Sequence, residues 1–338
     1  MENPRTGRTP ARSARALTAT SRASRIPSLA EGPAPGVRRT SHPERSNDVR
    51  LTVTAGEPPE HLFRRLLSAY LAGAGSFELV ERPRLSGRTR EVVREFCRRT
   101  RGPHLAAEGS QSLVLIQRES PGREPFDDQL LRLGEQVLAF HREVVEGWRG
   151  LPLTDDGAWA RRDDEVDREA WYLERLIAVR PRAAAGETRE ATAAWTIARS
   201  LERIADHAVT LGEVGPRLAD LDPASGTLRE LLQYHGQAME HLEEVLRSAN
   251  GSTANDLLDV GEALLAGGRS LSERVLPAAG ERAMAPGTAA AVARAFEAVG
   301  RTIAYSQDIA QAFFDRTLRL SVGPEGDRRP VAAAVPAG

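Results

Sequence analysis

Between residues 126 and 318, apolar side chains return every three or four positions in six blocks. The blocks lie near 126–149, 156–180, 187–214, 224–249, 253–276 and 287–318. A period close to 3.6 belongs to amphipathic helices, so six helices are expected. The stretches between them, "GLPLTDD", "RPRAAAG", "VGPRLADLDPASG", "ANGST" and "LPAAGERAMAPG", carry turn and breaker residues. Connections this short favour antiparallel neighbours, which predicts two up-down-up three-helix bundles, at 125–216 and 222–320.

Upstream the pattern is mixed. "VRLTVTA" alternates and suits a strand. "PPEHLFRRLLSAYLAGAG" sets Leu62, Leu66, Leu67, Tyr70 and Leu71 on one helical face, with Gly73 and Gly75 ending it. "SFELVERP" reads as a second strand, "SGRTREVVREFCRRTRG" as a second amphipathic helix, and "HLAAEGSQSLVLIQ" as a strand pair turning at Glu108–Ser110. Together they predict a small α/β sandwich over 48–120. Residues 1–47 are rich in Arg, Ser, Thr, Pro and Gly and lack periodic apolar positions. Such a segment buries too little surface to offset its ordering entropy, so a disordered basic tail is expected there, and a second disordered tail at 321–338. The expected fold class is mainly α: two three-helix bundles preceded by the sandwich and the tail.

The two halves of the helical region repeat. "ERIADHAVTLGE", 202–213, lies without gaps on "GRTIAYSQDIAQ", 300–311, so that Arg203 meets Arg301, His207 meets Tyr305 and Leu211 meets Ile309. Two positions break the match: Glu202 is answered by Gly300 and Asp206 by Ala304. Acids needed only for packing would not have to vanish as a pair, although drift produces the same pattern.

Composition narrows the function. The 338 residues carry 46 basic side chains, all of them arginine, against 47 acidic ones, for a net charge of −1. No global imbalance points to nucleic acid or an anionic membrane. The single cysteine, Cys97, excludes an internal disulfide and fits a reducing cytoplasm. No run approaches eighteen apolar residues, so a membrane span is not expected.

Charge becomes informative locally. In "RRDDEVDREAWYLERLI", Val166, Ala170, Leu173 and Ile177 form a buried stripe, and Asp163 and Asp167, four apart, project together at its edge. In "RSLERIADHAVTLGE", Glu202 and Asp206 stand in the same way beside Leu201, Ile204, Ala205 and Ala208. If these two helices are antiparallel, the four carboxylates Asp163, Asp167, Glu202 and Asp206 face each other. Hard oxygen donors at such a seam repel unless a cation or arginines sit between them, and they suit Fe, Zn, Mn or Mg. Arg161, Arg162, Arg168, Arg199 and Arg203 are near enough in sequence to neutralise them instead. No Glu-x-x-His pair of a ferritin-like di-metal oxidase is present in this region. His207 points about 100° away from Asp206 and is poorly placed as a co-ligand. Trp159, Trp171 and Trp195 are expected in the bundle core, and His141, His235 and His241 are isolated from metal-type spacing.

"RRDDEVDREAWYLERLI" followed by "ARSLERIADHAVTLGE" resembles the first repeat of the PhoU family of phosphate-uptake regulators. That family's acid-x-x-x-Asp motifs fall here on Asp163/Asp167 and Glu202/Asp206. "EHLFRRLLSAYLAGAGSFELV" with "REVVREFCRRTRG" resembles the α/β region preceding the bundles in archaeal-type members. Two departures stand out. The AbrB-like swapped-hairpin element with which such members begin has no counterpart in residues 1–47, and the second bundle lacks its helix-three acids. The resemblance implies a non-enzymatic, cytoplasmic negative regulator of phosphate transport and homeostasis. Its implied partners are a phosphate transporter's ATPase subunit or a signalling kinase, its implied state is a homodimer, and its implied cofactor is a divalent or trivalent metal ion on those four acids. A DNA-binding regulator and a carboxylate-bridged metalloenzyme stay open as alternatives.

Overall fold

Alternating residues build the sheet that the chain forms first. The computed structural model describes residues 37–39, 48–119, 125–148, 157–180, 185–219, 221, 226–248, 253–281 and 284–317. Strands β1 (Val37–Arg39), β2 (Asp48–Val53), β3 (Ser76–Glu81), β4 (Pro103–Glu108) and β5 (Ser112–Gln117) lie side by side in the order β1-β2-β3-β5-β4. β2 and β3 are parallel, joined by a crossover through helix α1 (Pro59–Leu71), and the other pairs are antiparallel. One face of the sheet, with Leu51, Val53, Phe77, Leu79, Leu113 and Leu115, is buried under α1 and α2 (Gly87–Arg99). Ser86 starts α2 by accepting the Thr89 amide hydrogen bond on its hydroxyl, at 3.1 Å.

β1 departs from expectation. It falls inside residues 1–47, expected to be disordered, yet it pairs with β2. The edge of β2 offers unpaired backbone groups to any extended segment, whatever its side chains, so periodicity carries no sign of it. The rest of that segment lies outside the described residues, as does 318–338 with the second expected tail.

The six expected helices are α3 (Phe126–Trp148), α4 (Ala158–Val179), α5 (Ala185–Ala219), α6 (Gly226–Arg247), α7 (Ala254–Glu281) and α8 (Pro286–Thr317). α3, α4 and α5 pack together, as do α6, α7 and α8. The bundles are joined along α5 and α8 and between α3 and α6, and one apolar core runs through both. The repeat-equivalent helices α5 and α8 meet at the join. His207 and Tyr305, equivalent in the two halves, stack on each other with ring centroids 5.8 Å apart. Arg203 lies over the Tyr305 ring, while Arg301, its counterpart, faces His207.

α5 runs past the expected end at 214, through Pro216, to Ala219. Gly212 and Gly215 let Trp159 and Trp148 lie against the helix backbone; a Cβ on Gly212 would stand 2.7 Å from Trp159 Cδ1. Leu218 is then fully buried. That burial outweighs the one hydrogen bond Pro216 cannot donate.

α4 carries two apolar faces rather than one. Val166, Ala170, Leu173 and Ile177 enter the bundle core, while Trp171 enters the core of the sandwich. Arg175, 6 % exposed, donates to the carbonyls of Tyr70 and Ala74 at 2.6 and 2.8 Å and so caps the end of α1. Trp195, expected in the core, is exposed instead and hydrogen-bonds to Glu174. His141 and His235, which have no metal-type spacing in the sequence, stack on each other within the core. The His141 Nε2–H donates to the Ile204 carbonyl at 2.9 Å, and its Nδ1 accepts from His235 Nε2 at 3.2 Å. Among the described residues no helix is long and apolar enough to cross a membrane.

Candidate metal centre

α4 and α5 are antiparallel neighbours: Trp159 meets Gly212 at one end, and Glu174 meets Arg199 further along. This register sets Asp163 opposite Asp206 and Asp167 opposite Glu202, so all four expected acids stand at one seam. Each was placed there by the same local rule, a four-residue spacing at the border of a buried stripe. The border position explains their burial as well, since the stripe draws its flanks out of water.

The electrostatics are those of crowded, poorly hydrated carboxylates. Burial, then Asp206 and Asp164, push the Asp163 pKa up to about 6 against the pull of Arg99. Burial, then Asp163 and Glu202, push Asp167 up to about 7. Burial also raises Glu202, Asp206 and the adjoining Glu174, each opposed by Arg199. Asp163 Oδ1 and Glu202 Oε2 are buried without a hydrogen-bond partner. An oxygen in that position forgoes hydration without replacement.

Two of the expected arginines, Arg199 and Arg203 on α5, oppose the burial of Glu202 and Asp206. Of the five, Arg199 reaches a member of the set, Glu202, at 3.6 Å. Arg162 pairs with Glu143 and Glu165, Arg168 donates to the Arg98 carbonyl, and Arg203 covers Tyr305. The close guanidinium comes from the sandwich. Arg99, near the end of α2, contacts Asp167 Oδ2 and Asp164 Oδ1 at 2.8 Å each, and Arg98 contacts Asp164 Oδ2 at 2.8 Å. Only a basic run, "CRRTR", set against an acidic one, "DDEVD", hints at this pairing in the sequence, and such runs are common on solvated helices. Among the described residues no three His, Cys, Asp or Glu side chains converge into a ready coordination shell. At Asp167 the geometry is plain: the oxygen nearest α2 is turned to Arg99.

Among the described residues the second bundle has no corresponding seam. Where the first has Glu202, Gly300 leaves space that Tyr234 of α6 approaches; the same hydroxyl packs on Gly268, where a Cβ would come within 2.1 Å of it. His207, held in its stack with Tyr305, is occupied elsewhere.

A long-helix scaffold with a carboxylate seam in one of two related bundles, and a small α/β domain docked beside it, defines a two-bundle helical protein. Residues 130–214, from α3 through α5, match the family model for the PhoU domain, which is consistent with a PhoU family protein. PhoU family proteins are regulators, and the domain connects the chain with regulation of phosphate homeostasis. No curated protein matches the chain.

Proposed function

We propose that the protein is a non-enzymatic negative regulator of phosphate uptake and intracellular phosphate homeostasis. In this reading it works in the cytoplasm as a homodimer, by contact with a phosphate transporter's ATPase subunit or a signalling kinase. The PhoU domain at 130–214 carries the reading. Long amphipathic helices with exposed outer faces suit partner binding of this kind.

The same reading gives the α4–α5 seam a cation. The donor set is all hard oxygen, and two of its oxygens, on Asp163 and Glu202, are buried and unpartnered, which is the chemistry a divalent or trivalent ion such as Fe, Zn, Mn or Mg satisfies. Asp163, Asp167, Glu202 and Asp206 would hold it. When bound, the ion would neutralise the seam and brace α4 against α5.

Two experiments test the two halves. Deleting the gene is expected to raise phosphate uptake and stored phosphate under phosphate-replete growth; unchanged uptake removes the regulatory reading. Protein purified without chelator is expected to carry metal that Asp206→Ala loses. Equal metal content in the two forms removes the metal site.

A further inference from the structure

The cation reading leaves one feature of the seam unexplained. Its nearest positive charge belongs to neither helix that forms it. Arg99 reaches over from α2, its guanidinium held between Asp164 and Asp167 and lying over the rings of Phe63, at 5.4 Å, and Trp171, at 5.2 Å. Asp167 is 8 % exposed, so water does little to screen this pair. We propose that Arg99 is the seam's built-in counter-ion, and that a cation entering the seam competes with it for Asp167. Cation binding and docking of the end of α2 on α4 then oppose each other. This inference rests on the cation reading of the seam and adds a route by which the ion's presence reaches the α/β domain.

The competition follows from charge and geometry. A divalent ion that gathers Asp163 and Glu202 also needs Asp167, whose Oδ2 is engaged by Arg99 at 2.8 Å. A guanidinium and a metal ion on one buried carboxylate repel strongly, because little water lies between them. The rest of the docking surface does not involve the four acids. Arg175 holds the end of α1, and Arg101 pairs with Glu169 at 3.3 Å. Release of Arg99 therefore loosens the last turn of α2 and leaves the domain attached. Linkage makes the effect reciprocal: whatever frees Arg99 tightens cation binding by the same factor.

The test is Mn²⁺ binding to the full chain, followed by isothermal titration, with amide hydrogen exchange as a second readout. Arg99→Ala is expected to bind Mn²⁺ at least about tenfold more tightly than wild type. Arg99→Gln, which keeps the stem and a donor for Asp167 but no charge, is expected to shift the same way. Arg101→Ala, which cuts another interface ion pair away from the seam, is expected to bind as wild type does. In wild type, Mn²⁺ is expected to speed exchange in the last turn of α2. Equal or weaker binding by both Arg99 variants, with wild type still binding, overturns the competition alone. So does an Arg101→Ala variant that tightens as much as Arg99→Ala, since general loosening would then be the cause. No Mn²⁺ binding by wild type or either Arg99 variant overturns the cation reading and this inference together.

Discussion

Replacing Asp163 by asparagine removes a charge that the fold holds at a cost. Its Oδ1 is buried and unpartnered, and Asp206 and Asp164 stand near it. The folded carboxyl keeps its proton up to about pH 6, whereas the ordinary value is 3.8. Between those values the folded state binds more protons than the unfolded chain, so stability falls as pH rises, and the loss is complete above pH 6. A gap of about two on the pH scale corresponds to roughly 3 kcal/mol. The side chain is half-buried, and solvent screening brings this down to about 1.5 kcal/mol. In chelator at pH 8, Asp163→Asn is therefore expected to stabilise the protein by about 1.5 kcal/mol, raising Tm by about 2–3 °C. At pH 4 the gain should nearly disappear. With Mn²⁺ the order inverts, because wild type gains a ligand-linked increment that the variant has lost. Thermal unfolding followed by circular dichroism at the two pH values, with and without Mn²⁺, measures all three. A variant less stable than wild type at pH 8 in chelator, or one whose gain is the same at pH 4, would refute the reasoning.

Two further substitutions probe the scaffold. Arg175→Met keeps the apolar stem but removes the donor to the Ala74 carbonyl and leaves the Tyr70 carbonyl with the Gly73 amide alone; relief of a buried charge offsets part of the loss. A net cost of about 2 kcal/mol is expected, seen as an earlier urea transition followed by tryptophan fluorescence and circular dichroism. His141 is fully buried, and burial holds its pKa down to about 4 against an ordinary 6.5. Its contribution to stability is therefore complete above pH 6.5 and lost as pH falls towards 4. His141→Phe is expected to cost about 1–2 kcal/mol at pH 8 through the lost hydrogen bonds, and to flatten the pH profile of stability between 6.5 and 4.

Much of the helical region was legible because helices are local. The stripe of Leu201, Ile204, Ala205 and Ala208 is an arithmetic property of the sequence, and so is the edge position of Glu202 and Asp206. The repeat made His207 and Tyr305 equivalent positions; that their rings stack on each other comes from the packing of α5 on α8. The gaps fall where one element meets another far away. β1 pairs through its backbone, Trp195 turns outward to Glu174, and α5 continues through Pro216 because two tryptophans press on its glycines. None of these depends on a period.

Helical periodicity is enough to read off which residues line each helix face and that four acids stand at the borders of two buried stripes. That these borders coincide, that Arg99 from the α/β domain sits against Asp167, and that two oxygens stay unpartnered follows from packing in three dimensions. Those facts depend on distances between segments up to 68 residues apart, set by how apolar faces are buried together, and side-chain charge responds to neighbours in space rather than in sequence.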